Sequence, residues 1–201
     1  MIQQEELASG QWLVTIDRPD KANSLTPEML DALCVVFENL EDAHLVILTG
    51  AGRVFSAGAD LEAARDGLGV SPLWERLSTA VAAVQGLTIA ALNGTLAGGA
   101  MGMALACDLR IAVPGARVFY PVMRLGFLPQ PSDPARLVAL VGPARAKLIL
   151  MCGARIEAAE ALGFGLIDRV VEGDVVDAAR ALAADVMAAD PAHVAAIKRM
   201  I

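Results

Sequence analysis

The stretch Leu87-Thr-Ile-Ala-Ala-Leu-Asn-Gly-Thr-Leu-Ala-Gly-Gly-Ala-Met-Gly-Met-Ala-Leu-Ala-Cys107 decides how the rest of the chain is read. Thr88 to Leu92 has the run length of a buried strand, Asn93-Gly94 is a turn signal, and Gly98-Gly99 opens an apolar helix toward Cys107. Glycines at a helix mouth let a ligand approach the backbone, and the first-turn N–H groups there have no intrahelical partner. Those donors and the helix dipole favour an oxygen that is gaining negative charge. The stretch thus predicts an oxyanion site, although the same glycines also suit a helix packed closely on a neighbour. No charged residue lies between Arg76 and Asp108, which raises a membrane span as an alternative. Asn93, the glycines and the threonines argue against it, because a strand, turn and helix cannot cross hydrocarbon with the backbone satisfied.

With 201 residues the chain can bury one good core, so a single domain is expected. Its composition, 56% hydrophobic and 19% charged, points to much helix burial or to a surface covered by other subunits. A formal net charge of −7 without a basic stripe argues against nucleic acid as a partner. Cys34, Cys107 and Cys152 are odd in number, widely spaced and set among apolar residues, which predicts buried thiols in a reducing compartment. Met-Ile-Gln-Gln-Glu-Glu at the start lacks the pattern of a signal peptide, so a cytoplasmic location is expected. No metal-ligand cluster and no phosphate loop is evident, and neither a metal nor a nucleoside triphosphate is expected.

Outward from the central stretch, Gln11 to Asp17 reads as a strand and Thr26-Pro27 as an N-cap with proline in the first helical position. Leu30, Leu33, Cys34, Phe37 and Leu40 then share one helical face. Leu45 to Thr49 is a second buried strand, and Ser71-Pro72 starts a helix with Leu73, Trp74, Leu77, Val81 and Val84 inward. Leu109 to Val113 and Arg117 to Tyr120 are further strands, and Asp133-Pro134 reads as another N-cap and helix start, ending at Gly142. Pro143, Glu157, Asp174 and Pro191 mark later helices around an extended piece, Leu166 to Val171. The fold class is α/β or α+β, with a core of about 1–142 and a helical part of about 143–201.

Seven segments in this order resemble the crotonase, or enoyl-CoA hydratase/isomerase, superfamily. They are Arg18-Pro19 with Asn23-Ser24-Leu25; Leu48-Thr49-Gly50 with Phe55-Ser56-Ala57-Gly58-Ala59-Asp60-Leu61; Ala90-Ala91-Leu92-Asn93-Gly94 with Ala97-Gly98-Gly99; Ala106-Cys107-Asp108-Leu109-Arg110; Leu125-Gly126 with Pro129; Leu140-Val141-Gly142; and Glu160-Ala161 with Gly165-Leu166-Ile167. The resemblance implies a crotonase/ClpP-like spiral of strand-strand-helix units, assembled as trimers or paired trimers. It implies an acyl-coenzyme A thioester as substrate, no separate cofactor, and a place in fatty acid metabolism. It implies that the backbone N–H groups of Ala59 and Gly99 hold the thioester oxygen as an enolate forms. The loop Ala57, Gly58, Ala59, Asp60 and Leu61 would hold the adenine end of coenzyme A, with Lys21 a candidate phosphate contact or an ordinary solvated lysine.

The departures from the family pattern bear on the reaction. The two water-activating glutamates of family hydratases fall at Gly102 and Val122, neither of which can carry a proton. Losing such a group costs about two to four orders of magnitude. Isomerisation, decarboxylation or thioester or C–C cleavage is therefore expected in place of efficient hydration, with a catalytically silent acyl-CoA-binding scaffold as the alternative. In the loop Phe127 to Pro134, Gln130 could orient a carboxylate or water, and Asp133 is the only ionisable group, read first as an N-cap. Tyr120 is a candidate acid or hydrogen-bond donor, and His44 and His193 are read as packing or surface residues. The helical C-terminal part is shorter than in typical relatives, so either a neighbouring subunit covers the site or the site is open.

Overall fold

The computed structural model describes residues 1–201. An antiparallel pair, β1 (Ile2–Ala8) and β2 (Gln11–Ile16), precedes α1 (Pro27–Asn39). Thr26 Oγ1 accepts the Met29 N–H at 3.3 Å, and Leu30, Leu33, Cys34 and Phe37 form the buried face of α1. Three strand-strand-helix turns follow. The first is β3 (Leu45–Gly50), β4 (Val54–Ser56), the short α2 (Leu61–Arg65) and α3 (Leu73–Ala83). The second is β5 (Leu87–Leu92), β6 (Thr95–Ala97) and α4 (Ala100–Ala106). The third is β7 (Leu109–Ala112), β8 (Arg117–Phe119), the short α5 (Val122–Leu125) and α6 (Asp133–Leu150), which Gly142 breaks at φ +77° before Pro143 resumes it. The chain ends with β9 (Ile156–Glu157), α7 (Ala158–Phe164), β10 (Arg169–Val170), α8 (Val175–Leu182), α9 (Ala184–Ala188) and α10 (Pro191–Lys198).

In every turn the first strand joins a six-stranded sheet, ordered β1-β2-β3-β5-β7-β10, and the second joins a four-stranded sheet, β4-β6-β8-β9. From β2 onward the larger sheet is parallel. Its central strands are buried on both faces, which is why they read as unbroken apolar runs. Val46, Leu48, Ala90 and Leu92 enter the main core, whereas Leu45, Ile47, Ile89 and Ala91 pack with Val175 and Ala179 of α8.

Three expectations need correction. Strand β6 intervenes between the Asn93-Gly94 turn and the helix, and at three residues it is too short to show a period. Of Leu166 to Val171, only Arg169–Val170 pairs as a strand. Cys34 and Cys107 are buried, and burial pushes their thiols up to about 11 and about 12, but Cys152 is exposed after α6. No helix is long and apolar enough to cross a membrane.

Side-chain polar groups hold the connections that carry the site. The fully buried Asn23 amide donates to Ala51 O at 2.9 Å and Val54 O at 2.6 Å and accepts the Arg18 N–H at 2.8 Å. Asn93 donates to Gly52 O at 2.9 Å and accepts the Gly50 N–H at 3.2 Å. The two amides thereby clamp the β3–β4 turn together, and both reach Val54 O. At the far end of α4, the buried Arg110 guanidinium donates to Cys107 O at 2.7 Å, Leu166 O at 3.0 Å, Asp108 O at 3.2 Å and Ala104 O at 3.4 Å. It satisfies carbonyls that a helix end leaves without partners. Arg110→Ala is expected to destabilise the protein by about 3–5 kcal/mol, read as a lowered urea midpoint, because four carbonyls lose a buried charged donor.

Candidate active site

The segment 57–59 reaches the mouth of α4 through a left-handed turn at Gly58, φ +89°. A Cβ on Gly58 would lie 2.8 Å from Ala97 O and 3.1 Å from Gly99 N, so only glycine permits this approach. Ser56 Oγ locks the turn, donating to Asn23 O at 2.8 Å and accepting the Gly58 N–H at 3.1 Å. Beyond it, Leu25 N–H donates to Gly58 O and Asp60 N–H to Leu25 O, both at 2.8 Å. Ala59 and Gly99 are thus brought to one wall of a cavity of about 440 Å³. Neither backbone N–H has an acceptor within the protein. Trp74 supports Gly99 from below: a Cβ there would meet the indole at 3.0 Å, and Trp74 Nε1 donates to Leu68 O at 2.8 Å.

Of the predicted loop, Ala57, Ala59 and Leu61 line the cavity and Gly58 shapes it. Asp60 turns away. Its carboxylate pairs with Arg18 Nη1 at 2.8 Å and caps α2 through the Glu62 and Ala63 N–H groups, and the Arg18 hydrogen bond holds its pKa below the usual carboxylate range. Lys21 is exposed and outside the cavity wall, as is the α10 residue His193. His44 is buried away from it, and its Nε2 has no partner.

Val122 lines the cavity and Gly102 lies behind it, so neither position carries a carboxylate. A different carboxylate sits beside Gly102. A Cβ at Gly102 would lie 2.7 Å from Ser78 Oγ and 2.9 Å from Asp133 Oδ1. Asp133 is fully buried and does not serve as the N-cap read from Asp133-Pro134. Ser132 occupies that position, and its N–H and Oγ both engage Glu75 Oε2, at 3.2 and 3.1 Å. The Asp133 carboxylate instead accepts the Tyr120 hydroxyl at 2.9 Å, and the Gln130 N–H reaches the same hydroxyl oxygen at 3.4 Å. The structure therefore gathers Tyr120, Gln130 and Asp133 into one cluster, with Tyr120 and Gln130 on the cavity wall and Asp133 behind them.

Burial pushes the Asp133 carboxyl up to about 6, against the lowering effects of the Tyr120 hydrogen bond and Arg136. Burial and the adjacent carboxylate raise the Tyr120 phenol as well. Ser78 went unremarked in the sequence. Its spacing from Trp74, Leu77 and Val81 puts it on the inward face of α3, which was the available signal. Arg65 and Arg124 at the cavity wall were missed too, since exposed arginines in short helices carry no pattern.

A family model described as enoyl-CoA hydratase/isomerase matches residues 6–201. YngF of Bacillus subtilis, which carries enoyl-CoA hydratase/isomerase in its name, is 36% identical over 189 residues, 89% of this chain and 73% of its own length. Carnitinyl-CoA dehydratase of Salmonella agona is 34% identical over 196 residues, 93% of this chain and 75% of its own. Among solved structures, DspI of Pseudomonas aeruginosa superposes with a TM-score of 0.89 at 34% identity, covering 98% of this chain and 84% of its own. Enoyl-CoA hydratase of Bacillus anthracis gives 0.88 at 30% identity, covering 98% and 81%.

Two substitutions test this geometry. A carboxyl whose pKa is raised on folding supports stability below its unfolded value near 3.8 and loses that support as pH rises through about 6. Asp133→Asn is therefore expected to gain on the native protein by about 2–3 kcal/mol between pH 4 and pH 8 in denaturant titrations. Gly102→Glu is expected to destabilise by about 1–3 kcal/mol or more and to produce no hydratase activity on crotonyl-CoA, because its side chain must displace Ser78 and Asp133.

Proposed function

Because the chain belongs to the enoyl-CoA hydratase/isomerase family, we propose that it is an enzyme that binds an acyl-CoA thioester in the cavity beside Gly99 and stabilises its enolate. The observation that carries this reading is the pair of unpartnered N–H groups, at Ala59 and Gly99, on one largely apolar wall. Two donors on one wall suit a thioester oxygen that becomes an enolate oxygen, because such donors act more strongly on that charge than on the ground-state carbonyl. The Ala57 to Leu61 loop holds the adenine end of the coenzyme through its backbone, since Asp60 is committed to Arg18 and α2.

Hydration needs a base for water and an acid for the α-carbon. With glycine at 102 and valine at 122, isomerisation, decarboxylation or thioester or C–C cleavage fits the wall better than hydration, decarboxylation leaning most on the two donors because it needs no base at its first step. Leu61 and Leu128 at the rim are 79% and 85% exposed, and Met123 and Leu125 are exposed beside them. Contact with a second subunit of a homotrimer or hexamer covers these side chains and closes the acyl end of the cavity. The absence of any carboxylate on the wall also favours one alternative, an acyl-CoA-binding scaffold without turnover.

The test is calorimetric titration with butyryl-CoA, comparing Gly99→Pro with Gly99→Ala, both checked for folding by circular dichroism. Both variants add the same Cβ beside Trp74, and only proline removes the N–H. Gly99→Pro is expected to bind about tenfold more weakly than Gly99→Ala. No binding by folded native protein would overturn the reading. Given binding, turnover of any member of a panel of crotonyl, 3-enoyl, malonyl-type and 1,3-diketone thioesters excludes the scaffold.

A further inference from the structure

Arg65, Arg124 and Tyr120 are the ionisable residues lining the cavity, and Tyr120 is 2% exposed. A guanidinium does not exchange its proton usefully near neutrality, which leaves the Tyr120 hydroxyl. Behind it stands a carboxyl that stability alone does not explain. Asp133 is fully buried, its Oδ2 receives the Tyr120 hydroxyl, and its Oδ1 has no partner. Ser78 Oγ, also buried and unpartnered, flanks the same face of Gly102. An ionised carboxylate with one oxygen left dry is costly, and a proton on it relieves that cost.

Resting on the acyl-CoA reading, we propose that Tyr120 and Asp133 form the proton relay of this site, Tyr120 Oη meeting the substrate α-carbon and Asp133 storing the proton behind it. In the forward step the α-C–H bond breaks as its proton passes to Tyr120 Oη. The electron pair moves into the thioester as the enolate held by Ala59 and Gly99. At the same time Tyr120 passes its own hydroxyl proton to Asp133 Oδ2, so the phenol remains neutral and the carboxylate becomes the acid. Reversal delivers the proton to an enolate carbon. Returning it to a carbon further along the acyl chain moves a double bond, and one relay suffices because no water has to be activated. The substrate class that fits is an enoyl-CoA thioester undergoing double-bond migration.

The groups facing Asp133 set the pH range of the relay. From α3 come Glu75, which raises its pKa, and the hydroxyl of Ser78; from its own helix comes Arg136, which lowers it. From the segment after β8 comes Tyr120, and from the following loop comes the Gln130 N–H on the same phenol oxygen. Burial outweighs the lowering by the Tyr120 hydrogen bond and Arg136 and leaves the carboxyl near 6, with base and acid forms both available close to neutrality.

The experiment follows α-deuteration of butyryl-CoA by the full chain in D2O, by mass spectrometry, from pH 5 to pH 8. The expected native rate rises with pH through about 6 and then levels. Tyr120→Phe is expected to lower it at least 100-fold with the butyryl-CoA Kd changed less than threefold. Asp133→Asn keeps the side-chain shape and is expected to slow exchange and flatten the pH profile, a change that a purely structural tie between helix and loop does not produce. Should Tyr120→Phe fail to fold, the Asp133→Asn profile decides alone. Native-like exchange by Tyr120→Phe, an inflection near 6 retained in Asp133→Asn, or no exchange by native protein that binds butyryl-CoA would each overturn the relay while leaving the acyl-CoA reading intact. Absence of butyryl-CoA binding overturns both.

Discussion

Backbone lying directly on backbone, where segment 57–59 meets 97–99, is the constraint on which the rest of the site depends. Two unpartnered N–H groups can share a wall only if no side chain separates their segments, and Gly58 and Gly98 leave that contact free of side chains from both directions. The surrounding polar groups make the contact permanent. Ser56 fastens the Gly58 turn to Asn23, Asn23 and Asn93 clamp the turn before it, and Trp74 fills the space beneath Gly99. A buried amide that satisfies two carbonyls and one N–H leaves little freedom, since breaking any of the three strands a polar group in the core.

The apolar runs at 45–49 and 88–92 announced buried strands because both faces of those strands are covered. Thr26-Pro27 announced α1 because capping is local chemistry between residues three apart. Legibility failed where a partner is distant in sequence. Asp133-Pro134 carries a local cap signal, yet Tyr120, thirteen residues earlier, takes the carboxylate, and Glu75 takes the true cap residue. β6 was invisible because its pairing with β4 and β8, and not its three residues, makes it a strand. The cavity wall was half legible, since a glycine-rich helix mouth can be read locally but the arrival of Ala59 beside it requires the fold.

Tertiary context also sets the chemistry of the polar cluster. The same aspartate at an exposed helix start would be an ordinary acid capping an N–H; removed from water and set against a phenol, its protonated form is favoured. Holding a carboxyl in such surroundings weakens the fold at neutral pH, the kind of trade between stability and function that recurs in ligand sites. The cavity lining joins apolar side chains to two arginines and a single phenol, with no carboxylate among its residues.

The crowding around Gly102 has a historical consequence. Ser78 and Asp133 border the space that any side chain at 102 would enter, so residue size at 102 and the identity of residue 133 are not independent inheritances. A lineage arriving at this arrangement must shrink residue 102 before a carboxyl can settle at 133, and a lineage leaving it must vacate 133 before 102 can grow. Each order passes through one viable single-substitution intermediate and the opposite order through a crowded one. The two positions are coupled by the space they share, and divergence at them is expected to be paired among homologous chains.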